Sequence, residues 1–282
     1  LEAHTFRYQY RKEGEEFPFF FASDLHQDEI GFNEQQFATD FDRAKRDKAR
    51  IFLNGDIFGA ILPQDIKRYS RGNDPNDTDG IINVIVEQAE NRLAPYVDNI
   101  DMIGIGNHET AVLKYHATDI TRMLIAFLNR RRNPKLPPIR HGGYTGFIRM
   151  VFDRVGGANA HALVIFYNHG QGSSAEVTDG IIDAKRRLYT RSDIIWLGHK
   201  HRRWAHEIEP EIGINNFGKI YVKKRYAVMT GSYLQSSAET DATKNGYRQN
   251  FAEERMRTPQ GTGGIRWTAI VGREFLYPEF VI

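Results

Sequence analysis

Short apolar runs alternate with amphipathic stretches along most of the chain. Apolar runs of about four to eight residues fit buried strands, and apolar residues recurring every third or fourth position fit a helix with one buried face. Residues 17–22, 50–53, 101–105, 162–167 and 194–197 are predicted strands on this basis. Residues 33–49 are a predicted helix, with Phe37, Phe41 and Ala44 on one face and Asn33 and Gln36 at capping-box spacing. Residues 81–93 repeat the pattern through Ile81, Ile85 and Ala89. Residues 110–128 do so through Leu113, Ala117, Ile120, Leu124 and Phe127, and a further helix is predicted around 177–188. Residues 63–80 are rich in Asp, Asn, Pro and Gly and are predicted to form a loop. After Trp204 the pattern turns to strands, at 220–222, 226–229 and 265–271. Residues 235–264 are polar and aperiodic, compatible with a cover over a site, an oligomer contact or a mobile segment. Strands alternating with helices, then a strand-rich end, predict an α/β sandwich with helices outside, in one domain spanning 1–282.

Composition narrows the chemistry. The chain of 282 residues is 40% hydrophobic, enough for a sizeable core. It holds no cysteine, so a disulfide, a thiolate ligand and a cysteine nucleophile are all excluded within it. A net charge of +2 is no nucleic-acid signature by itself. No apolar run approaches the roughly 18 residues of a membrane span, and no signal peptide is visible, so the expectation is a cytoplasmic protein without a membrane partner.

Five polar clusters stand just past apolar runs: Asp24-Leu25-His26, Gly55-Asp56, Gly106-Asn107-His108-Glu109, Asn168-His169-Gly170 and Gly198-His199-Lys200-His201. Each falls at the carboxyl end of a predicted strand, where open α/β sheets bind ligands. Carboxylate, imidazole and amide oxygens suit Mn, Fe, Zn or Ni, and missing thiolates disfavour a soft structural zinc site. Asp24 and His26, like His199 and His201, are two positions apart, so a strand end can aim both to one side. Gly55 allows a tight turn that lets the Asp56 carboxylate bridge two ions. Bridged ions lie about 3.5–4 Å apart and can clamp a phosphate between them.

These clusters resemble the calcineurin-like metallophosphoesterase superfamily, whose pattern is D-x-H, G-D, G-N-H-D/E, H and G-H-x-H. All five elements match in order between Asp24 and His201. The resemblance implies a four-layer α/β/β/α sandwich of two mixed β-sheets, with a dinuclear site at the strand C-terminal ends. It implies that Asp24, His26, Asp56 and His201 hold one divalent ion, and that Asp56, Asn107, His169 and His199 hold the second. Mn is the first expectation, with Fe, Zn or Ni as alternatives. His108 would contact the phosphate and protonate the leaving oxygen as general acid, while Glu109 would orient His108. Asn54 receives no role. The stretches 51–57, 67–69 and 230–233 are also similar to metallophosphoesterases of bacteriophages and related bacteria. The function implied is hydrolysis of a phosphate ester by a metal-bound hydroxide. A phosphodiesterase is the first reading, with DNA or RNA among its substrates. A phosphomonoesterase acting on protein, nucleotide or small molecule is the second, and a non-catalytic scaffold of the same fold the third.

Other features have plainer explanations. His4, His116, His141, His161 and His206 lie outside the pattern and are expected to be structural or exposed. Gly104-Ile-Gly106 lacks the third glycine of a dinucleotide fingerprint, because Glu109 stands there. The stretch 74–80 lacks the glycine of a calcium loop, since Asp79 occupies its sixth position. Arg130–Arg132 and Arg186–Arg187 fit solvated faces or helix C-termini. Lys200, Arg202 and Arg203 adjoin the ligand cluster and are candidates for a phosphate contact, and Lys67, Arg68 and Tyr69 for a substrate wall.

Overall fold

Alternation of side chains along a strand builds the layers. In β2 (Glu16–Ala22), Phe19 and Phe21 point into one core, while Phe20 and Ala22 point into another. In β8 (Ile194–Leu197), Ile194 and Trp196 join the first core, and Ile195 and Leu197 face a third. A strand buried on both faces has no polar positions, which is why both runs are apolar throughout. The computed structural model describes residues 1–29, 31–60, 62, 80–157, 160–172, 180–214, 217–235, 261–272 and 276–281. The predicted loop 63–80, with Lys67, Arg68 and Tyr69, and most of 235–264 lie outside these residues.

Two sheets of six strands pack face to face. The first runs β1 (Glu2–Tyr10), β6 (Thr145–Arg154), β7 (Ala160–Asn168), β8, β10 (Ile220–Met229) and β9 (Trp204–Ile214). The second runs β12 (Leu276–Val281), β11 (Ile265–Val271), β2, β3 (Arg50–Leu53), β4 (Ile100–Ile103) and β5 (Arg140–His141). Both are mixed: β7, β8 and β10 are mutually parallel in one, and β2 to β5 in the other, with antiparallel pairs at the flanks. The core between them is aromatic, with Phe21 stacked on Trp196 at 4.1 Å and Phe19 on Trp267 at 4.5 Å between ring centroids. Stacks like these contribute about 0.5–1.5 kcal/mol beyond burial. Helices α1 (Glu34–Arg46), α2 (Ile81–Leu93), α3 (Asn107–His116) and α4 (Ile120–Arg131) cover the second sheet. Among the described residues the first sheet has thinner cover, α5 (Ile181–Lys185) and a short 3-10 turn, packed over Ile195, Leu197, Ala227 and Met229. The layers are those of the expected α/β/β/α sandwich.

Several local expectations change. The predicted helix 110–128 is two helices. Ala117 turns left-handed at φ 50°, and Asp119 caps α4 by accepting from Arg122 N at 2.9 Å. A side chain that satisfies a new helix's first amides competes with continuing the old helix. Leu113 is therefore exposed, and α3 buries Glu109 and Val112 instead. Asn33 caps α1 as expected, but Gln36 bonds Asp40 rather than completing the box. The segment 177–188 keeps only α5 and the 3-10 turn among its described residues. Strands 220–222 and 226–229 are one strand, β10, with a bulge against β9. Strands β1 and β6 went unassigned, although His4, Phe6, Tyr8 and Tyr10 alternate with polar residues. Arg132 is buried rather than solvated. It donates to the carbonyls of Val97 and Ile100 and pairs with Asp101 at 3.2 Å, tying α4 to β4.

Candidate metal centre

The five clusters meet at one edge of the sandwich because the strands before them end there. Asp24 and His26 follow β2, Asp56 follows β3, Asn107 opens α3 after β4, His169 follows β7, and His199 and His201 follow β8. Turning side chains inward from so many strand ends takes unusual backbone. Asp24, His26, Asp56, His199 and His201 all have left-handed φ, between 47° and 67°. Each such residue costs about 1–2 kcal/mol, and strain of this kind gathers at functional sites. Gly55 precedes Asp56 at φ 79°, and a Cβ on Gly106 would stand 2.1 Å from Asp56 Oδ1. Any other residue at Gly106 would push the carboxylate out of place.

Three donor triads result, each with ligand atoms within 4.8 Å of one another: Asp24, His26 and His201; His26, Asp56 and His108; and Asp56, His169 and His199. Asp56 thus reaches both sides of the site. Its Oδ1 accepts from His108 N at 3.0 Å, which orients Oδ2 toward His169 Nε2 at 3.0 Å and His108 Nε2 at 3.9 Å. Asp24 accepts from His199 N through both oxygens, at 3.1 and 2.9 Å, and its Oδ1 lies 3.4 Å from His201 Nε2. Ser23 Oγ also donates to it. Two buried polar atoms have no hydrogen-bond partner, His26 Nε2 and Asn107 Oδ1. Unsatisfied buried polar atoms are costly, and both belong to the expected ligand set. The residues therefore fit a pair of hard or borderline divalent ions.

Charge supports the same fit. Burial would raise Asp24, but His169 and His201 outweigh it and hold it at about 2. Asp56 is likewise held well below the carboxylate range against its burial, chiefly by His169 and His108. Burial would lower His26 and His169, but Glu29 lifts His26 to about 9, and Asp56 and Asp24 lift His169 to about 10. Without cations, imidazolium charge balances the two carboxylates. Metal ligation needs neutral imidazole, so loading at pH 7 should release about two protons per chain. Affinity should climb roughly 100-fold per pH unit and level off near pH 9, where His26 has lost its proton. Calorimetric titration with Mn²⁺ in buffers of different ionisation enthalpy measures this directly. A heat that is independent of buffer would contradict it.

Residues without a predicted role hold the ligands. His169 Nδ1 meets the Asn54 carbonyl at 2.6 Å, and Asn54 Nδ2 donates to Asn168 O at 3.2 Å. Glu29 faces His26 Nδ1 at 3.0 Å. A partner on the second ring nitrogen fixes a ligand histidine's tautomer. Asp28 accepts from Gly59 N and Ala60 N at 2.6 and 2.8 Å, and the Gly59 carbonyl meets His108 Nδ1. The acidic pair directly after Asp24-x-His26 was the available signal for these two. The stretch 230–233 braces the Asp24 loop: Tyr233 N and Ser232 Oγ donate to Asp24 O, at 3.0 and 3.1 Å, and Thr230 Oγ1 lies 2.6 Å from Ser23 Oγ.

Glu109 does different work from that expected. Its carboxylate accepts from Asp56 N at 3.0 Å, Ile57 N at 2.7 Å, Phe58 N at 3.1 Å and Gly106 N at 2.7 Å. It shapes the backbone that presents Asp56, while the Gly59 carbonyl is what sits on His108 Nδ1. Burial, reinforced by Asp56, raises Glu109 to about 7. Lys200 does not reach for phosphate: it is buried, and its Nζ donates to Gln171 O at 2.9 Å and Gly172 O at 2.7 Å. Arg203 Nε donates to Gly264 O at 3.0 Å.

No family model matches the sequence, and no curated protein matches it. Solved structures with a similar chain course include an archaeal phosphodiesterase, at 11% identity and TM-score 0.38 over 94% of this chain and 100% of that one. A predicted phosphoesterase of Streptococcus pneumoniae TIGR4 matches at 12% identity and TM-score 0.30, over 95% and 99%. Vps29 of Entamoeba histolytica, complexed with zinc, matches at 10% identity and TM-score 0.36, over 94% and 98%. Likenesses this distant decide nothing about chemistry. Two face-packed mixed sheets with ligand motifs at their strand ends are the architecture of the calcineurin-like metallophosphoesterases that the sequence resembles. No helix among the described residues is long and apolar enough to cross a membrane.

Proposed function

We propose that the chain is a dinuclear metal-dependent phosphoester hydrolase, with diesters as its first substrates and nucleic acid among them. The observation that carries the proposal is Asp56 standing in two donor triads, with His108 beside it. Asp24, His26, Asp56 and His201 would hold one divalent ion, and Asp56, Asn107, His169 and His199 the other, Mn being the first candidate. When bound, the ions supply an acidified water and countercharge for the phosphoryl oxygens.

The chain's own groups do the rest. Asp24 and Asp56 take their positions from backbone amides, so binding costs little reorganisation. The Gly59 carbonyl keeps a proton on His108 Nδ1, which leaves Nε2 as the nitrogen that exchanges one. Nε2 points toward Asp56, at the centre of the site. An imidazolium there can protonate a departing alkoxide. The preference for diesters rests on the resemblance of the Asn107-His108-Glu109 cluster to nuclease and phosphodiesterase branches.

Metal-stripped protein refilled with Mn²⁺ should hydrolyse bis-p-nitrophenyl phosphate faster than p-nitrophenyl phosphate. Turnover of the monoester alone would replace this reading with a phosphomonoesterase. Two ions bound per chain with no turnover of either compound, nor of plasmid or single-stranded DNA, would replace it with a scaffold.

A further inference from the structure

The hairpin of β9 and β10 runs out past its sheet. Strand β8 pairs with β10 only at Tyr226–Met229, so Ile220 to Arg225 have β9 as their partner on one side and no strand on the other. This outer ribbon is two-stranded, and two strands alone are marginal in water unless a face is buried. Ile214 pairs with Ile220, and Ile212 with Val222. Cross-strand partners share a face, so these four side chains form one apolar stripe. They are 68%, 77%, 70% and 65% exposed, and Phe217 beyond them is 88% exposed. Gly213, Tyr221, Glu211 and Lys223 take the opposite face. Scattered exposed apolar residues need no explanation, but a contiguous patch of a few hundred Å² marks an interaction surface.

Charge on the ribbon is segregated by strand. Strand β9 carries Glu207, Glu209 and Glu211 and no Lys or Arg, and β10 carries Lys223, Lys224 and Arg225 and no Asp or Glu. This pattern discriminates between the ways two such stripes can meet about a two-fold axis. An axis across the strands would lay β9 on its own copy, acid on acid. An axis along the strands lays β9 of one copy over β10 of the other, acid on base. It also sets Ile212 over Val222 and Ile214 over Ile220, so each apolar pair recurs across the interface. A surface complementary to itself fits a closed, isologous dimer.

We propose that the apolar face of the β9–β10 ribbon is the contact with a second copy of this chain, stacked about a two-fold axis along the strands. The stripe becomes the dry centre, and the charges of the two strands form its rim.

Light scattering coupled to size exclusion should find the metal-loaded protein at twice its 32.5 kDa. The variants I212K and V222E should each halve that mass, because each places an unpaired charge in the dry centre. Mixed together they should return to the doubled mass, since the introduced lysine then lies over the introduced glutamate. Ile214→Thr with Ile220→Thr keeps β-branching and should also be monomeric, with the far-UV circular dichroism of the parent. A monomeric parent overturns the proposal, as does a dimer that survives all three variants. Failure of the mixture to re-form a dimer, with the folded threonine variant monomeric, would overturn the axis.

Discussion

Asp56→Asn should abolish turnover while leaving the fold intact. Asp56 is buried, with one oxygen on His108 N and the other shared between His169 and His108. The amide keeps the shape and loses the charge. Its NH₂ must then face either the His108 N–H, a donor against a donor, or His169 Nε2 in place of an ion. Both sides of the site lose their common anion, so at least one ion per chain should be lost. The rate on bis-p-nitrophenyl phosphate should fall at least about 10³-fold, or about 4 kcal/mol of transition-state stabilisation. Metal content by elemental analysis, beside circular dichroism, separates this from unfolding. A variant that binds two ions and turns over normally would remove Asp56 from its bridging role, and the dinuclear reading with it.

The second large effect depends on the leaving group. His108→Ala should cost about 10²–10⁴-fold on an alkyl diester, whose alkoxide needs a proton to depart. On bis-p-nitrophenyl phosphate the loss should be far smaller, because the nitrophenolate leaves without one. Burial lowers His108, so its acid form is scarcer in the empty site than in a free imidazole. A bound phosphate dianion or monoanion nearby favours that form. Equal losses on both substrates would instead make His108 a binding or metal-holding group, in keeping with its place in the triad with His26 and Asp56.

Residue types and their order identified the donor set, because ligation depends on atom type and each donor cluster ends a strand. The same logic failed for Glu109. Sequence adjacency suggested that it served His108, but four backbone amides converge on it from two loops. No local pattern encodes that convergence. Asp28 and Glu29 were visible as an acidic pair, yet their partners, Gly59, Ala60 and His26, come together only when two loops meet.

What the sequence by itself determined is periodic or compositional. The apolar runs of β2, β3 and β8, the helix faces of α1 and α2, and the ordered Asp, His and Asn clusters all follow from chemistry within a few neighbouring residues. Tertiary structure alone decided what depends on distant pairing. It broke 110–128 into α3 and α4, where a cap at Asp119 competed with a continuous apolar stripe. It buried Arg132 against Asp101, and it placed β1 beside β6 across more than a hundred residues of chain. It also left the β9–β10 ribbon reaching past its sheet with an apolar face outward. Alternation in a strand shows that one side is apolar, and the sheet that strand joins decides whether anything lies against it.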